Sequence, residues 1–238
     1  MNIKRHIPNA LTCGNLVSGC FSILFLTLDM PLKAAIMIFI AGLFDFLDGF
    51  SARLLQAHSP IGADLDSLSD MVSFGIAPGF IMCWLMDRAS DLPQVNLLDI
   101  SLLPCLAFLL PLFAAIRLAK FNNSDTQSTT FHGLPAPGMA LFIASLPMAL
   151  SQVDHLTDGT FGYWICLGIT LIFSFMMVSR LRFFSFKMKS AKWKGNEIRW
   201  IFLIVAIVSY IIFRRIALPF VMMLYILLSI FFAGKMEE

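Results

Sequence analysis

The sequence predicts an all-α fold, a polytopic membrane bundle of about eight transmembrane helices forming a single domain over residues 1–238. Three observations carry that expectation. The chain is 58% hydrophobic and only 13% charged, with a mean hydropathy of +0.82, more apolar than the surface of a soluble domain tolerates. Its apolar residues run in stretches close to the roughly 20 residues that a helix needs to cross the hydrocarbon layer. Those stretches lack the alternation of barrel strands, and open strands cannot cross lipid with their backbone groups unpaired.

Taken in order, the candidate spans are 11–29, 32–54, 67–86, 98–120, 137–152, 161–180, 199–214 and 217–233. The first begins at Leu11 without a small-residue cleavage site, so it is expected to remain as a span. The second and third are joined by a short linker and should be antiparallel neighbours. The fourth ends at Arg117 and Lys120. It is followed by a polar stretch, Asn122 to Asp125, and a Gly-Leu-Pro-Ala-Pro run from Gly133 that cannot continue a helix. This loop, 121–137, is either a lid over a site or a plain connector. The fifth and seventh spans are short, and the last two read as an appendage to a six-helix core.

An even number of spans places both termini on one side. With the N terminus inside, 13 of the 17 Lys and Arg residues fall on inner segments, and only Lys33, Arg88, Arg214 and Arg215 fall outside. The positive-inside rule therefore favours cytoplasmic termini in the cytoplasmic membrane. Arg214 and Arg215 fit this orientation poorly.

The composition also excludes some functions. A net charge of +2 with a basic run confined to 180–199 argues against nucleic acid and for anionic lipid headgroups as neighbours. Cys13, Cys20, Cys83, Cys105 and Cys166 lie in apolar stretches without metal-binding spacing and are expected to be buried packing residues. His6, His58, His132 and His155 are scattered and read as interface residues.

The residues that do not belong in a membrane are the aspartates. Asp45 and Asp48 are three apart and Asp66 and Asp70 four apart, so each pair projects from one face of its helix, while Asp64 points to another face. An Asp at mid-membrane costs about 2.5 to 3.5 kcal/mol on insertion scales, so such residues persist where something neutralises them. Arg53 is the only basic residue within this stretch and cannot balance four anions. Oxygen-only ligation suits Mg²⁺ or Mn²⁺, with Ca²⁺ as a possible occupant, and four carboxylates match two divalent ions in charge. Asp45 lies 12 residues past Lys33, about 18 Å along a helix axis, which places the cluster in the cytoplasmic half. Gly49 and Ala52 share the face of Asp45 and leave room either for a bulky ligand or for helix packing.

The spacing DxxDGxxAR, eight residues, then GxxxDxxxD, running from Asp45 to Asp70, matches the motif of the CDP-alcohol phosphotransferase family at all eight specified positions. Pro8, Asn9, Thr12, Asn15 and Gly19, and later Arg117, Lys120, Phe121, Asn122, Phe131, Gly133, Pro135 and Pro137, resemble the flanking patterns of the bacterial phosphatidylserine synthases in that family. The resemblance covers about residues 5 to 140. It implies that Asp45, Asp48 and Asp66 are metal ligands, and that Asp70 is a ligand or near-ligand and the catalytic base. It also implies that Gly49, Ala52, Arg53, Gly62, Asn9 and Thr12 line the CDP site, and that Arg117, Lys120, Asn122 and Gly133 contact the acceptor. The implied substrates are CDP-diacylglycerol and L-serine, in an enzyme that is often a homodimer.

Two other readings stay open at this stage. One is the same chemistry with glycerol 3-phosphate or inositol phosphate as acceptor. The other, from a different class, is a cation-coupled membrane transporter, since intramembrane carboxylates alone would permit it. Clustering on one hairpin, the lack of matching charges in a second half and the motif all weigh against transport.

Overall fold

The computed structural model describes residues 6–56, 61–88, 95–97, 100–123, 131–151, 160–179, 181–183 and 197–232. His58, His155, the stretch 124–130 and most of the basic run at 180–199 lie outside the described residues.

The described chain is helical apart from two short antiparallel ladders. Helix α1, His6–Thr27, starts five residues earlier than the hydropathy suggests, so Asn9 and Thr12 are helical. It closes through Asp29, which takes a left-handed conformation (φ 53°), while the Met30 amide returns to the Phe25 carbonyl at 2.8 Å. A proline then opens α2, Pro31–Leu55, where its missing N–H costs nothing. Gln56, at φ 48°, caps α2 by donating its amide to the carbonyls of Ala52 and Arg53.

Helix α3 spans Gly62–Asp87, with Gly62 through Asp66 already wound into helix rather than leading up to it. Its winding changes midway. Gly62–Asp70 is α-helical, Met71–Ile76 is π-helical, and Ala77–Asp87 is α-helical again. Helix α4, Pro104–Asn122, begins with a 3₁₀ turn at Pro104–Phe108 and follows a two-residue ladder of Asn96–Leu97 with Ile100–Ser101. The remaining helices are α5 (Ala136–Leu150), α6 (Thr160–Val178), α7 (Glu197–Phe213) and α8 (Ala217–Phe232). A second ladder pairs Phe131–His132 with Arg182–Phe183 and so ties the entry of α5 to the exit of α6.

Helix α3 is the centre of the bundle and packs against α1, α2, α4, α5 and α6. Close approach to α1 depends on Gly19, where an added Cβ would lie 2.8 Å from Ser73 Cα on α3. Small residues at such contacts let helix backbones meet when lipid offers no hydrophobic drive for association. Phe74, Ile81, Met82 and Met86 of α3 bury against Ile38 of α2, Leu110 of α4 and Met139 and Ile143 of α5. Large apolar side chains such as Phe46, Leu54, Phe161, Phe175, Ile211 and Phe220 point outward, as a lipid-facing girdle requires.

Among the described residues, six stretches are long and apolar enough to cross a membrane: α1, α2, α3, α4, α6 and Ile204–Ser229. Ala136–Leu150 is a shorter apolar helix of 15 residues. The stretch Ile204–Ser229 is broken by a 3₁₀ turn at Arg214–Ile216, with Arg214 at φ 52°. The rings of Phe202 and Tyr225 stand 6.2 Å apart, so α7 and α8 fold side by side as two arms. At 17 and 16 residues they are about 24 to 26 Å long, short of a hydrocarbon core of about 30 Å. The fold is thus the expected all-helical membrane bundle, with six stretches of spanning length and one shorter apolar helix among the described residues.

Candidate active site

Three helices meet at the acidic residues. Asp45 and Asp48 sit one turn apart on α2, Asp66 and Asp70 one turn apart on α3, and α1 lies across both helices. One carboxylate oxygen from each of Asp45, Asp48 and Asp66 falls within 4.8 Å of the others. Unit charges at that separation repel by roughly 1 kcal/mol in bulk water and roughly 3 kcal/mol at an effective dielectric of 20. The cluster therefore wants positive charge. Asp48 is 7% exposed, and Asp66 Oδ1 is buried without a hydrogen-bond donor. An acceptor-only oxygen set with an orphaned buried oxygen fits a hard divalent cation.

Helix α1 supplies the polar partners. Thr12 Oγ1 lies 2.7 Å from Asp48 Oδ2 and 3.0 Å from the Pro8 carbonyl, and Asn15 donates Nδ2 to Asp70 Oδ1 at 3.0 Å. Asp70 stands outside the three-oxygen group, one turn further along α3. From α4, the half-buried Arg117 reaches the same region, where Asp70 is the carboxylate whose charge acts on it, and its Nε is buried without a hydrogen-bond partner. Asn122, at the end of α4, donates Nδ2 to Ser67 Oγ at 2.9 Å.

The family model described as CDP-alcohol phosphatidyltransferase matches residues 5–176. The chain belongs to the CDP-alcohol phosphatidyltransferase family. It is 31% identical over 188 residues to a Bacillus subtilis protein named CDP-diacylglycerol–serine O-phosphatidyltransferase, covering 79% of this chain and 95% of that protein. A Helicobacter pylori protein of the same name is 30% identical over 210 residues, covering 87% and 81%. An archaetidylserine synthase from Methanothermobacter thermautotrophicus is 37% identical over 143 residues, covering 58% and 56%.

The structure brings the CDP-alcohol phosphatidyltransferase motif into one place, though its members differ in setting. A Cβ added at Gly49, on the turn after Asp48, would meet nothing within 4 Å, so open space adjoins the acids there. Ala52 is half-buried on the next turn, and Arg53 is exposed in the last turn of α2. Gly62 starts α3, and Asp64 is exposed, away from the three-oxygen group. Asn9 lies half-buried one turn before Thr12, and Lys120 is exposed in the last turn of α4.

Gly133 is different. It is buried at φ 81°, donates its amide to the Leu181 carbonyl at 2.8 Å, and leaves no room for a Cβ against the Met177 carbonyl. Its described contacts are with the exit of α6 rather than with the aspartates. The sequence reading assigned no role to Asn15 or Ser67. For Asn15 the signal was present, because it sits three residues after Thr12 and so shares its helix face.

Proposed function

We propose that this chain transfers the phosphatidyl group from CDP-diacylglycerol to the hydroxyl of L-serine, giving phosphatidylserine and CMP. The observation that carries the reaction class is the convergence of Asp45, Asp48 and Asp66 with Asp70 one turn beyond. Two divalent ions, Mg²⁺ or Mn²⁺, held by Asp45, Asp48 and Asp66 with Asp70 at the edge of the set, would neutralise the donor's diphosphate and the charge on departing CMP.

The protein's own groups then have separable tasks. Asp70 accepts the proton of the serine hydroxyl as its oxygen bonds to phosphorus and the bond from phosphorus to the CMP oxygen breaks. Asn15 holds one Asp70 oxygen, which orients the other. Arg117, with a donor left over beside Asp70, suits the carboxylate of a small zwitterion, and its guanidinium stays charged where hydration is poor. Arg53, exposed in the last turn of α2, would meet phosphate oxygens of the donor, and the open space at Gly49 would admit the nucleotide. The site faces the cytoplasm, where serine arrives and CMP departs, and the chain works as a homodimer.

Support for serine comes from the names of the relatives, two of which cover most of both chains. The test is CMP release by the purified protein in lipid, given CDP-diacylglycerol and each acceptor in turn. Serine should give the fastest release. Faster release with glycerol 3-phosphate or inositol phosphate would reassign the acceptor, and no release with any of them would remove the enzymatic reading.

A further inference from the structure

Helix α1 carries no acid, yet its two most informative polar residues are spent on the acids of the other two helices. Thr12 is 5% exposed and Asn15 is wholly buried. Thr12 Oγ1 has two acceptors in reach, and the carboxylate of Asp48 is both the nearer, 2.7 Å against 3.0 Å for the Pro8 carbonyl, and the charged one. A hydroxyl proton shared between such acceptors favours the anion. Asn15 gives one amide hydrogen to Asp70, while its own Oδ1 is buried with no donor. A buried amide oxygen without a partner is costly, so packing alone is a poor reason for an asparagine here.

We infer that α1 is the positioning element of the acidic site: Thr12 fixes Asp48 through Oδ2 and Asn15 fixes Asp70 through Oδ1. One tether reaches α2 and the other α3, so together they set the spacing between the two acid-bearing helices. Close contact of Gly19 with Ser73, one and two turns further along α1, holds the same helix rigidly against α3. Thr12 and Asn15 act through the aspartates and are positioning residues, not catalytic ones. This inference rests on the cation reading of the cluster, and it assigns Thr12 a task at the acids in addition to any contact with CDP.

Mn²⁺ alone is the probe. Its binding to the full chain in nanodiscs, read by electron paramagnetic resonance and titration calorimetry, is compared with Thr12→Val, Asn15→Leu and Thr12→Ser. Partners that orient metal ligands typically change metal affinity about 10- to 100-fold when removed. Thr12→Val and Asn15→Leu should each weaken Mn²⁺ binding to that extent, and Thr12→Ser, which keeps the hydroxyl, should restore it. Melting in the absence of metal separates a lost tether from a lost fold. If the valine variant does not fold, Thr12→Cys keeps the size with only a weak donor and takes its place. Unchanged Mn²⁺ affinity in both folded variants, or an equal loss in Thr12→Ser, overturns the inference. No Mn²⁺ binding by the unmodified chain overturns it together with the cation reading on which it rests.

Discussion

Asn122, the last residue of α4, donates its side-chain amide to Ser67 Oγ of α3 across 2.9 Å. Ser67 follows Asp66 directly and precedes Asp70 by three residues, so this bond fastens the end of α4 to the acid-bearing turn of α3. Arg117 lies on the same helix five residues earlier, so holding the end of α4 to α3 also bears on where Arg117 stands relative to Asp70. A net hydrogen bond is worth about 0.5 to 1.5 kcal/mol. Asn122→Ala should therefore raise the KM for serine by about two- to tenfold and leave the KM for CDP-diacylglycerol near that of the parent. A rise confined to the donor's KM would place Asn122 with the nucleotide instead.

Asparagine variants of the four acids should fall into two groups. Asp45→Asn, Asp48→Asn and Asp66→Asn alter the three-oxygen group and should lose donor binding along with turnover. Asp70→Asn keeps its shape and loses its capacity to take a proton, which is worth about 10² to 10⁴ in rate. CDP-diacylglycerol binding should survive in part while CMP release collapses. Near-normal turnover in Asp70→Asn would rule it out as the base.

Gly49 offers a test in which fold and function move in opposite directions. Nothing lies within 4 Å of a Cβ built there, and the residue is inside α2. Alanine in a helix interior is favoured over glycine by about 1 kcal/mol, so Gly49→Ala should melt no earlier than the parent. If the open space receives substrate, the same variant should bind CDP-diacylglycerol more weakly. Unaltered binding and turnover would return Gly49 to an ordinary helix position.

Gly133→Ala should behave in the contrary way. At φ 81° an L side chain is strained, and its Cβ would run into the Met177 carbonyl. Strain of this kind costs about 1 to 3 kcal/mol. A lowered melting temperature in detergent, with the KM for serine unchanged in the surviving folded fraction, is expected. A specific rise in that KM without loss of stability would give Gly133 the acceptor contact that the sequence suggests.

The acids were legible because their spacing alone puts each pair on one helix face, and because charge inside an apolar run has few explanations. Asn15 was harder to read. An asparagine on a membrane helix gains its meaning only when the crossing of α1 and α3 brings it to Asp70, and crossing is a property of packing rather than of local pattern. Hydropathy located α7 and α8 but could not show that the left-handed Arg214 and the 3₁₀ turn at Arg214–Ile216 fold them back on each other. Loop 121–137 contained the clue to its own anchoring in Gly133, yet the partner, the end of α6, is more than 40 residues away in sequence.

The π-helical stretch Met71–Ile76 makes α3 a helix with two phases. Accommodating an additional residue in a turn offsets everything beyond it by about 100° relative to an unbroken α-helix. The N-terminal half carries Asp66 and Asp70 in one phase, with Asp70 bonded to Asn15 of α1. The C-terminal half, in the other, delivers Trp84 to Asp29 at 2.9 Å, and Arg88 stacks over the Trp84 ring at 4.8 Å. Loss of one residue between positions 71 and 76 would thus differ in kind from any substitution there. With that turn closed to ordinary α geometry, the acids and Trp84 would both keep their angular settings, whereas loss of one residue from the α-helical stretch between Ala77 and Trp84 would turn Trp84 off Asp29 by about 100°. The wide turn is thus the one stretch of this helix where the chain between chemistry and anchor can shorten by a residue without changing what either end faces.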